Sequence, residues 1–134
     1  MKSRYFDHID LRVRDMERAR KFYVPVLAAL GFTVDQSSKT WVTYAAPGTG
    51  GGPTEFFGFT RDPNHVPNGT RVAFWAETRD EVNRVAEVAR AAGAKNIEGP
   101  ELCPEYEPNY YAVFFEDSEG NKLEVCCHNP SAVL

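Results

Sequence analysis

The sequence predicts an α+β protein made of two tandem β-α-β-β-β modules, whose sheets curl into one half-open, polar-lined cup. A strand, an amphipathic helix and three further strands occur in that order twice within the 134 residues. Two helices cannot cover both faces of eight strands, so one face of each sheet stays open for another use. We expect a single domain over 1–134, with module one at 5–60, a linker at 61–69 and module two at 70–129.

Module one opens with a strand at 5–13, where apolar and polar residues alternate as in a half-buried strand. Asp15 is predicted to cap a helix that ends at Gly31. Pro25 interrupts this helical pattern, and because proline removes a backbone donor we expect a break or kink near Tyr23. Three strands should follow, at 32–36, 40–45 and 54–60.

Module two repeats the order with a strand at 71–77 and a helix from about Asp80 to Ala92. Its last three strands are expected at 95–101, 110–116 and 121–128. The linker RDPNHVPNG is rich in proline and asparagine, and its His65 is expected to be solvated.

Strand alternation predicts the side chains that line the cup, because successive residues point to opposite faces of a sheet. The predicted lining residues are His8, Asp10, Arg12, Glu55, Phe57, Phe59, Arg71, Ala73, Trp75, Lys122, Glu124, Cys126 and His128. Leu123, Val125 and Cys127 should face the helix instead. An imidazole, two carboxylates and a guanidinium on one buried face are costly unless they meet partners, a ligand or a metal. Candidate aromatic walls for a substrate are Trp75, Phe57, Tyr110 and Tyr111, together with Arg71 as a polar contact.

Charge and composition exclude several classes of partner. The net charge is −4, and no basic stripe interleaved with aromatic residues is present, so nucleic acid is not an expected partner. No apolar run approaches the ~18 residues of a membrane span, and the amino terminus lacks an apolar signal region. The three cysteines are an odd number without C-x-x-C spacing, which argues against a disulfide framework. We expect a cytoplasmic protein.

Four motifs in order carry a resemblance to a known family. They are DHIDLRVRDMERARKFYVPVLAALGF, TEFFGF, TRVAFWAETRDEVNRVAEVARAAGA and YYAVFFEDSEGNKLEVCCH. Together they resemble the vicinal oxygen chelate superfamily, which includes glyoxalase I, extradiol dioxygenases and bleomycin-resistance proteins. The resemblance implies a homodimer and a divalent metal ion (Zn, Ni, Fe, Mn or Mg) held by His8, Glu55 and Glu124, with a fourth ligand at position 71.

The sequence departs from that pattern in two segments, RVAF and CPEYEPNYY. The family's HVAF reads RVAF here, and Arg71 offers only donors, so it cannot ligate a cation. Glu105 and Glu107 stand where glyoxalase-like relatives often carry histidine. If these carboxylates reach the cup, they would favour harder ions such as Mg²⁺ or Mn²⁺. Alternatively Arg71 replaces the metal, either by pairing with Glu124 or Glu55 or by clamping a ligand carboxylate.

Two functional hypotheses follow from the resemblance. The first is a metal-dependent enzyme (a glyoxalase I-like lyase, an isomerase or a dioxygenase) in which the metal polarises oxygens of a small substrate and Glu124 or Glu55 moves a proton. The second is a metal-free protein that sequesters a small molecule. A purely structural dimerisation module would leave the polar cup unexplained. A Cys126 and His128 nucleophile is the weaker catalytic alternative, since the sequence indicates no third group to orient it.

Overall fold

The computed structural model describes residues 2, 4–48 and 53–130, and it confirms the α+β fold of two tandem modules. Module one consists of β1 (His8–Val13), α1 (Met16–Leu30), β2 (Val34–Asp35), β3 (Trp41–Pro47) and β4 (Pro53–Arg61). Module two consists of β5 (Arg71–Trp75), α2 (Arg79–Ala91), β6 (Lys95–Leu102), β7 (Tyr111–Glu116) and β8 (Lys122–Cys127). The glycine-rich stretch at 49–52 lies outside the described residues.

Each module forms its own four-stranded sheet with the same strand order. The first sheet runs β1-β4-β3-β2 and the second runs β5-β8-β7-β6. In both sheets the opening strand pairs in parallel with the last strand, and the other neighbours are antiparallel. The opening strands β1 and β5 therefore lie at sheet edges, and the two modules share one pairing scheme that allows them to be compared residue by residue.

Helix α1 begins and ends as the sequence predicts. The Asp15 side chain accepts a hydrogen bond from the backbone N–H of Arg18, and Gly31 ends the helix with a left-handed φ of 105°. The expected break near Tyr23 is wrong, because the helix continues without interruption through Pro25. Pro25 is exposed, so the carbonyl oxygen that loses its partner lies on the solvent side, where water can satisfy it.

One apolar core joins the two modules. The helices pack against each other, and residues of both sheets contribute to the same buried cluster. In module one, Phe57 and Phe59 are buried with their ring centroids 5.4 and 5.0 Å from that of Tyr23 on α1. Their predicted place on the open face is thus wrong. Because Phe56 pairs with His8, it is the alternate set of β4, beginning at Phe56, that shares the polar face of β1.

A buried polar network fixes the turn between β7 and β8 to module one. Asp117 is fully buried and accepts hydrogen bonds from the Tyr23 hydroxyl at 2.6 Å and the Asn121 side-chain amide at 2.8 Å. Asn121 also donates to the backbone carbonyl of Arg12. His65, expected to be solvated, is half-buried, and its Nε2 lies 2.8 Å from Asn121 Oδ1. The linker is therefore held at the junction of the modules.

Among the described residues no helix is long and apolar enough to cross a membrane. Cys103, Cys126 and Cys127 are all buried free thiols, in line with the prediction that the chain lacks a disulfide framework.

Candidate functional site

The open face of module one begins with an imidazole set between two carboxylates. His8 Nδ1 lies 2.8 Å from Asp7, and its Nε2 lies 3.6 Å from Asp10. The His8 ring stacks on Phe56 with centroids 4.3 Å apart and planes 5° apart. His8 Nδ1 and one ring face of His8 therefore have partners within the chain, while Nε2 has only the longer contact with Asp10.

Further along the same face, Arg12 contacts both a carboxylate and an aromatic ring. Its guanidinium lies 3.1 Å from Asp10 and 5.1 Å from the centre of the Trp41 ring. This pairing partly neutralises Asp10 and covers Trp41, so the far end of the module one face is satisfied by local contacts.

The open face of module two does not contain the predicted Arg71 to Glu124 ion pair. The Arg71 guanidinium lies 4.9 Å from the centre of the Phe114 ring, and it forms no ion pair with a described carboxylate. Glu124 is 6% exposed and accepts a hydrogen bond from the Tyr110 hydroxyl. Burial, followed by this hydrogen bond to Glu124, raises the pKa of Tyr110 well above its ordinary value.

The loop before β7 covers the end of that face. It carries Glu105 and Glu107, the two carboxylates that depart from the family pattern. Glu107 lies 2.5 Å from His128 Nδ1, while Glu105 is exposed and contributes, after burial, to a raised pKa of the Cys103 thiol. Glu107 is thus a carboxylate partner of His128 that the sequence did not indicate. Burial nevertheless raises the pKa of the Cys126 thiol, which is the opposite of what a nucleophilic cysteine needs.

Tyr111 lies on the helix side of its sheet. Its hydroxyl donates to Asn83 Oδ1 at 2.6 Å, and the guanidinium of Arg79 lies 5.3 Å from its ring centre. Both partners belong to α2, so Tyr111 contacts that helix and not the cup, where a substrate-binding role was expected. Tyr110, its neighbour, does lie on the open face through its contact with Glu124.

The shared pairing scheme identifies which residue of module one corresponds to Glu124. Glu124 pairs with Ala73, the third residue of β5, and the third residue of β1 is Asp10, which pairs with Gly58. The expected symmetric placement of Glu55 and Glu124 is therefore wrong. The β4 residue that corresponds to Glu124 is Gly58, and Glu55 lies three positions before it. Because side chains alternate along a strand, Glu55 belongs with Phe57 and not with Gly58 and Phe56.

A divalent metal site implied by the family resemblance does not fit these residues. The four equivalent positions are His8, Gly58, Arg71 and Glu124. Arginine cannot ligate a cation, and a Cβ added at Gly58 would lie 2.8 Å from the backbone oxygen of Val42, too close for any side chain without movement of β3. Within the described residues, no group of three or more His, Cys, Asp or Glu side chains is arranged to hold a metal ion.

His8 and Glu55 instead border a cavity of about 360 Å³ between the start of β1 and the end of β5. Its walls are largely aromatic, and its polar groups cluster at the amino-terminal end of β1. Its lining includes Phe6, Asp7, His8, Glu55, Phe56 and Trp75. Phe57 also borders it from the core side. Glu124 and Arg71 are not among its lining residues. The predicted site residues are therefore dispersed over several places, and of these only His8, Glu55, Phe57 and Trp75 meet at the cavity.

Sequence reasoning missed Phe6, Asp7 and Phe56 as lining residues and Gly58 as the position equivalent to Glu124. The run TEFFGF permits two alternation registers, since aromatic residues occupy both sets of positions. The available signal was the glycine. A glycine inside a strand often marks a close approach of backbone from the neighbouring strand, which would have placed Gly58 against β3.

Comparisons with known proteins agree with this architecture. Residues 5–125 match the family model described as the Glyoxalase/Bleomycin resistance protein/Dioxygenase superfamily. A glyoxalase/bleomycin resistance protein from Albidiferax ferrireducens T118 is 25% identical, with 92% of this chain and 98% of that chain covered and a TM-score of 0.74. Among curated proteins, no sequence matches this chain.

Two further solved structures share the fold at lower identity. A glyoxalase/bleomycin resistance protein/dioxygenase family enzyme from Burkholderia phytofirmans PsJN is 20% identical over 92% of this chain and 98% of its own, with a TM-score of 0.68. The fosfomycin resistance protein FosX from Listeria monocytogenes, in complex with Mn(II) and sulfate, is 17% identical over 96% and 93%, with a TM-score of 0.65. The family match spans nearly the whole chain, and the chain belongs to the glyoxalase/bleomycin resistance protein/dioxygenase superfamily.

Proposed function

We propose that this protein binds a small molecule without a metal ion, in the cavity between β1 and β5. The observation that carries the proposal is the loss of two of the four equivalent ligand positions. Gly58 has no side chain and no room for one, and Arg71 is directed onto Phe114. The two remaining residues also have partners within the chain, since His8 Nδ1 contacts Asp7 while Glu124 accepts from Tyr110.

The cavity itself supports binding of a compact aromatic or aliphatic ligand. Its volume of about 360 Å³ lies at the lower end of the range that small-molecule sites occupy. Trp75 is 67% exposed and Phe6 is 80% exposed, although large apolar side chains gain by removal from water. A bound ligand would cover these rings, and members of the same superfamily are named as bleomycin resistance proteins.

A metal-dependent enzyme is the second candidate. His8 and Glu124 retain the side chains that the family resemblance requires, and the FosX structure from Listeria monocytogenes contains Mn(II). This candidate needs further ligands from outside the four equivalent positions. Glu55 remains the predicted third ligand in that case, with Glu55 or Glu124 as the proton carrier.

Metal analysis and a binding titration separate the two candidates. Protein purified without chelators and without metal-affinity resin is analysed by mass spectrometry for Zn, Ni, Fe, Mn and Mg. In a second experiment, tryptophol, an uncharged aromatic probe, is titrated into the protein by calorimetry with EDTA present. We expect substoichiometric metal and saturable tryptophol binding that EDTA does not change. Stoichiometric metal that is lost in both His8→Ala and Glu124→Ala would establish the second candidate instead. The control is His65→Ala, which removes an imidazole that contacts Asn121 and lines neither hollow, and it should leave the metal content unchanged.

We also propose that the protein acts as a homodimer. The open faces of both edge strands are exposed in a single chain beyond the cavity, including Asp10, Arg12 and Arg71. A second copy against these faces would enclose them and cover exposed apolar area. Sedimentation velocity should give twice the 15.0 kDa mass of the chain. A species of single-chain mass at all concentrations would reject the dimer.

A further inference from the structure

We propose that the cavity between β1 and β5 selects an aromatic ligand that carries a positive charge. This inference rests on the proposed binding function and adds the charge class of the ligand. It differs from the expectation that Arg71 clamps a ligand carboxylate, because Arg71 lies in a separate small hollow beside Lys122 and Glu116.

The aromatic walls suit a cation that is attached to a flat body. Phe6 and Trp75 expose their rings at the mouth, and Phe56 forms part of the wall beneath His8. Ring faces carry negative electrostatic potential, so a nearby ammonium group is attracted to them, most strongly by tryptophan. An aromatic ligand body can also stack on the same rings.

The charges that border the cavity are negative. Asp7 and Glu55 are lining residues, and no lysine or arginine of the described chain lines the cavity. Arg4 lies 3.8 Å from the lining residue Asp7, and Arg12, at the far end of the module one face, contacts Asp10 and Trp41. An anionic ligand would therefore meet like charge and no cation among the lining residues, whereas an ammonium group would meet two carboxylates.

Asp7 and Glu55 do not contribute equally to the attraction of a cationic ligand. Asp7 already contacts His8 at 2.8 Å and Arg4 at 3.8 Å, so part of its charge is offset. Glu55 has no hydrogen bond or ion pair with the described residues. We therefore assign Glu55 as the principal partner of the ligand's positive group, with Trp75 as the ring that the cation approaches.

A series of three indoles of nearly equal shape tests the charge preference. Tryptamine is a cation at neutral pH, tryptophol is uncharged, and indole acetate is an anion. Each is titrated by calorimetry into the full chain with EDTA present. We expect tryptamine to bind at least about tenfold more tightly than tryptophol, and indole acetate to bind more weakly than tryptophol.

Substitutions of single residues test which side chains cause the preference for a cationic ligand. Glu55→Gln should weaken tryptamine binding by about fivefold or more and leave tryptophol binding within about twofold, since only the charge is removed. Trp75→Ala should weaken both, while Glu87→Gln on the exposed face of α2 and Trp41→Phe under Arg12 should change neither.

Each outcome has a distinct meaning. If tryptophol binds but tryptamine is not preferred, or if indole acetate binds most tightly, the inference about charge is overturned and the binding function stands. If tryptamine is preferred and Glu55→Gln keeps that preference, the assignment of Glu55 is overturned. If none of the three probes binds at millimolar concentration, the proposed binding function fails together with the inference.

Discussion

The hydroxyl group of Tyr23 lies 2.6 Å from a carboxylate oxygen of Asp117, although the two residues are 94 positions apart in the chain. Tyr23 belongs to α1 of module one, and Asp117 belongs to the turn between β7 and β8 of module two. Both are fully buried. This bond therefore joins the modules at a point where water cannot replace a missing donor.

The Tyr23→Phe substitution should destabilise the protein by about 1.5–3 kcal/mol, because it leaves a buried, charged acceptor with one donor fewer. Urea unfolding followed by circular dichroism measures the change. Tyr44→Phe is the matched control, since the Tyr44 hydroxyl is 3.3 Å from Asp35 at the surface, and it should cost less than about 0.5 kcal/mol. If both variants lost the same free energy of unfolding, burial of the contact between Tyr23 and Asp117 would add nothing to its contribution to stability.

The Glu119→Ala substitution should cost about 2–3 kcal/mol. The Glu119 side chain is 4% exposed and accepts hydrogen bonds from the backbone N–H groups of Arg14 and Asp15, just before α1. Its removal leaves these two donors without their partner, and the favourable charge near the start of the helix is lost. Glu87→Ala on α2 should stay within about 0.5 kcal/mol in the same unfolding assay. A Glu119 variant as stable as the Glu87 variant would contradict this role.

The Gly58→Ala substitution should cost about 1–3 kcal/mol through steric overlap, since the added Cβ would lie 2.8 Å from the Val42 carbonyl oxygen. Gly69→Ala is the control, because a Cβ at position 69 meets nothing within 4 Å. That variant should be neutral or slightly stabilised. Thermal unfolding of both variants measures the difference, and a neutral Gly58→Ala would show that β3 moves aside without cost.

The cysteines should resist alkylation in the native state. Burial raises the pKa of the Cys103 and Cys126 thiols, and a raised pKa means that a smaller fraction is thiolate at any pH below it. Modification by iodoacetamide at about pH 8 should be far slower than for a free cysteine, and it should speed up only at higher pH. Mass spectrometry counts the modified thiols, and all three cysteines should react in urea. Rapid labelling of native Cys126 would instead support its role as a nucleophile.

The fold was largely predictable because its signals are local. Alternation in β1, the Asp15 cap and the Gly31 stop each depend on a few neighbouring residues, and the second module repeats the pattern. The one wrong expectation in a helix concerned Pro25. A single lost backbone bond on the exposed side is outweighed by the core that Tyr23 and its neighbours form on the buried side.

The site was less predictable because it depends on register between strands. In TEFFGF either alternate set can face the core, and only the pairing of β4 with β1 decides that Phe56 joins His8. The partners of Glu124 and Arg71 are likewise aromatic residues from β7 and the loop before it, namely Tyr110 and Phe114. Charge alone predicted that the glutamate and the arginine would pair, but Glu124 accepts from the Tyr110 hydroxyl and Arg71 lies over the Phe114 ring.

The close contact between Gly58 and Val42 also limits which substitutions could give this protein a metal site. A carboxylate at position 58 requires β3 to shift, and an imidazole at position 71 requires Arg71 to leave Phe114. A four-ligand metal site is thus at least two substitutions and one backbone adjustment away, and the substitution at position 58 is expected to lower stability before any ligand is gained. Laboratory evolution toward a metalloenzyme should therefore begin by loosening β3, whereas improvement of a metal-free binder can proceed by single changes around Trp75.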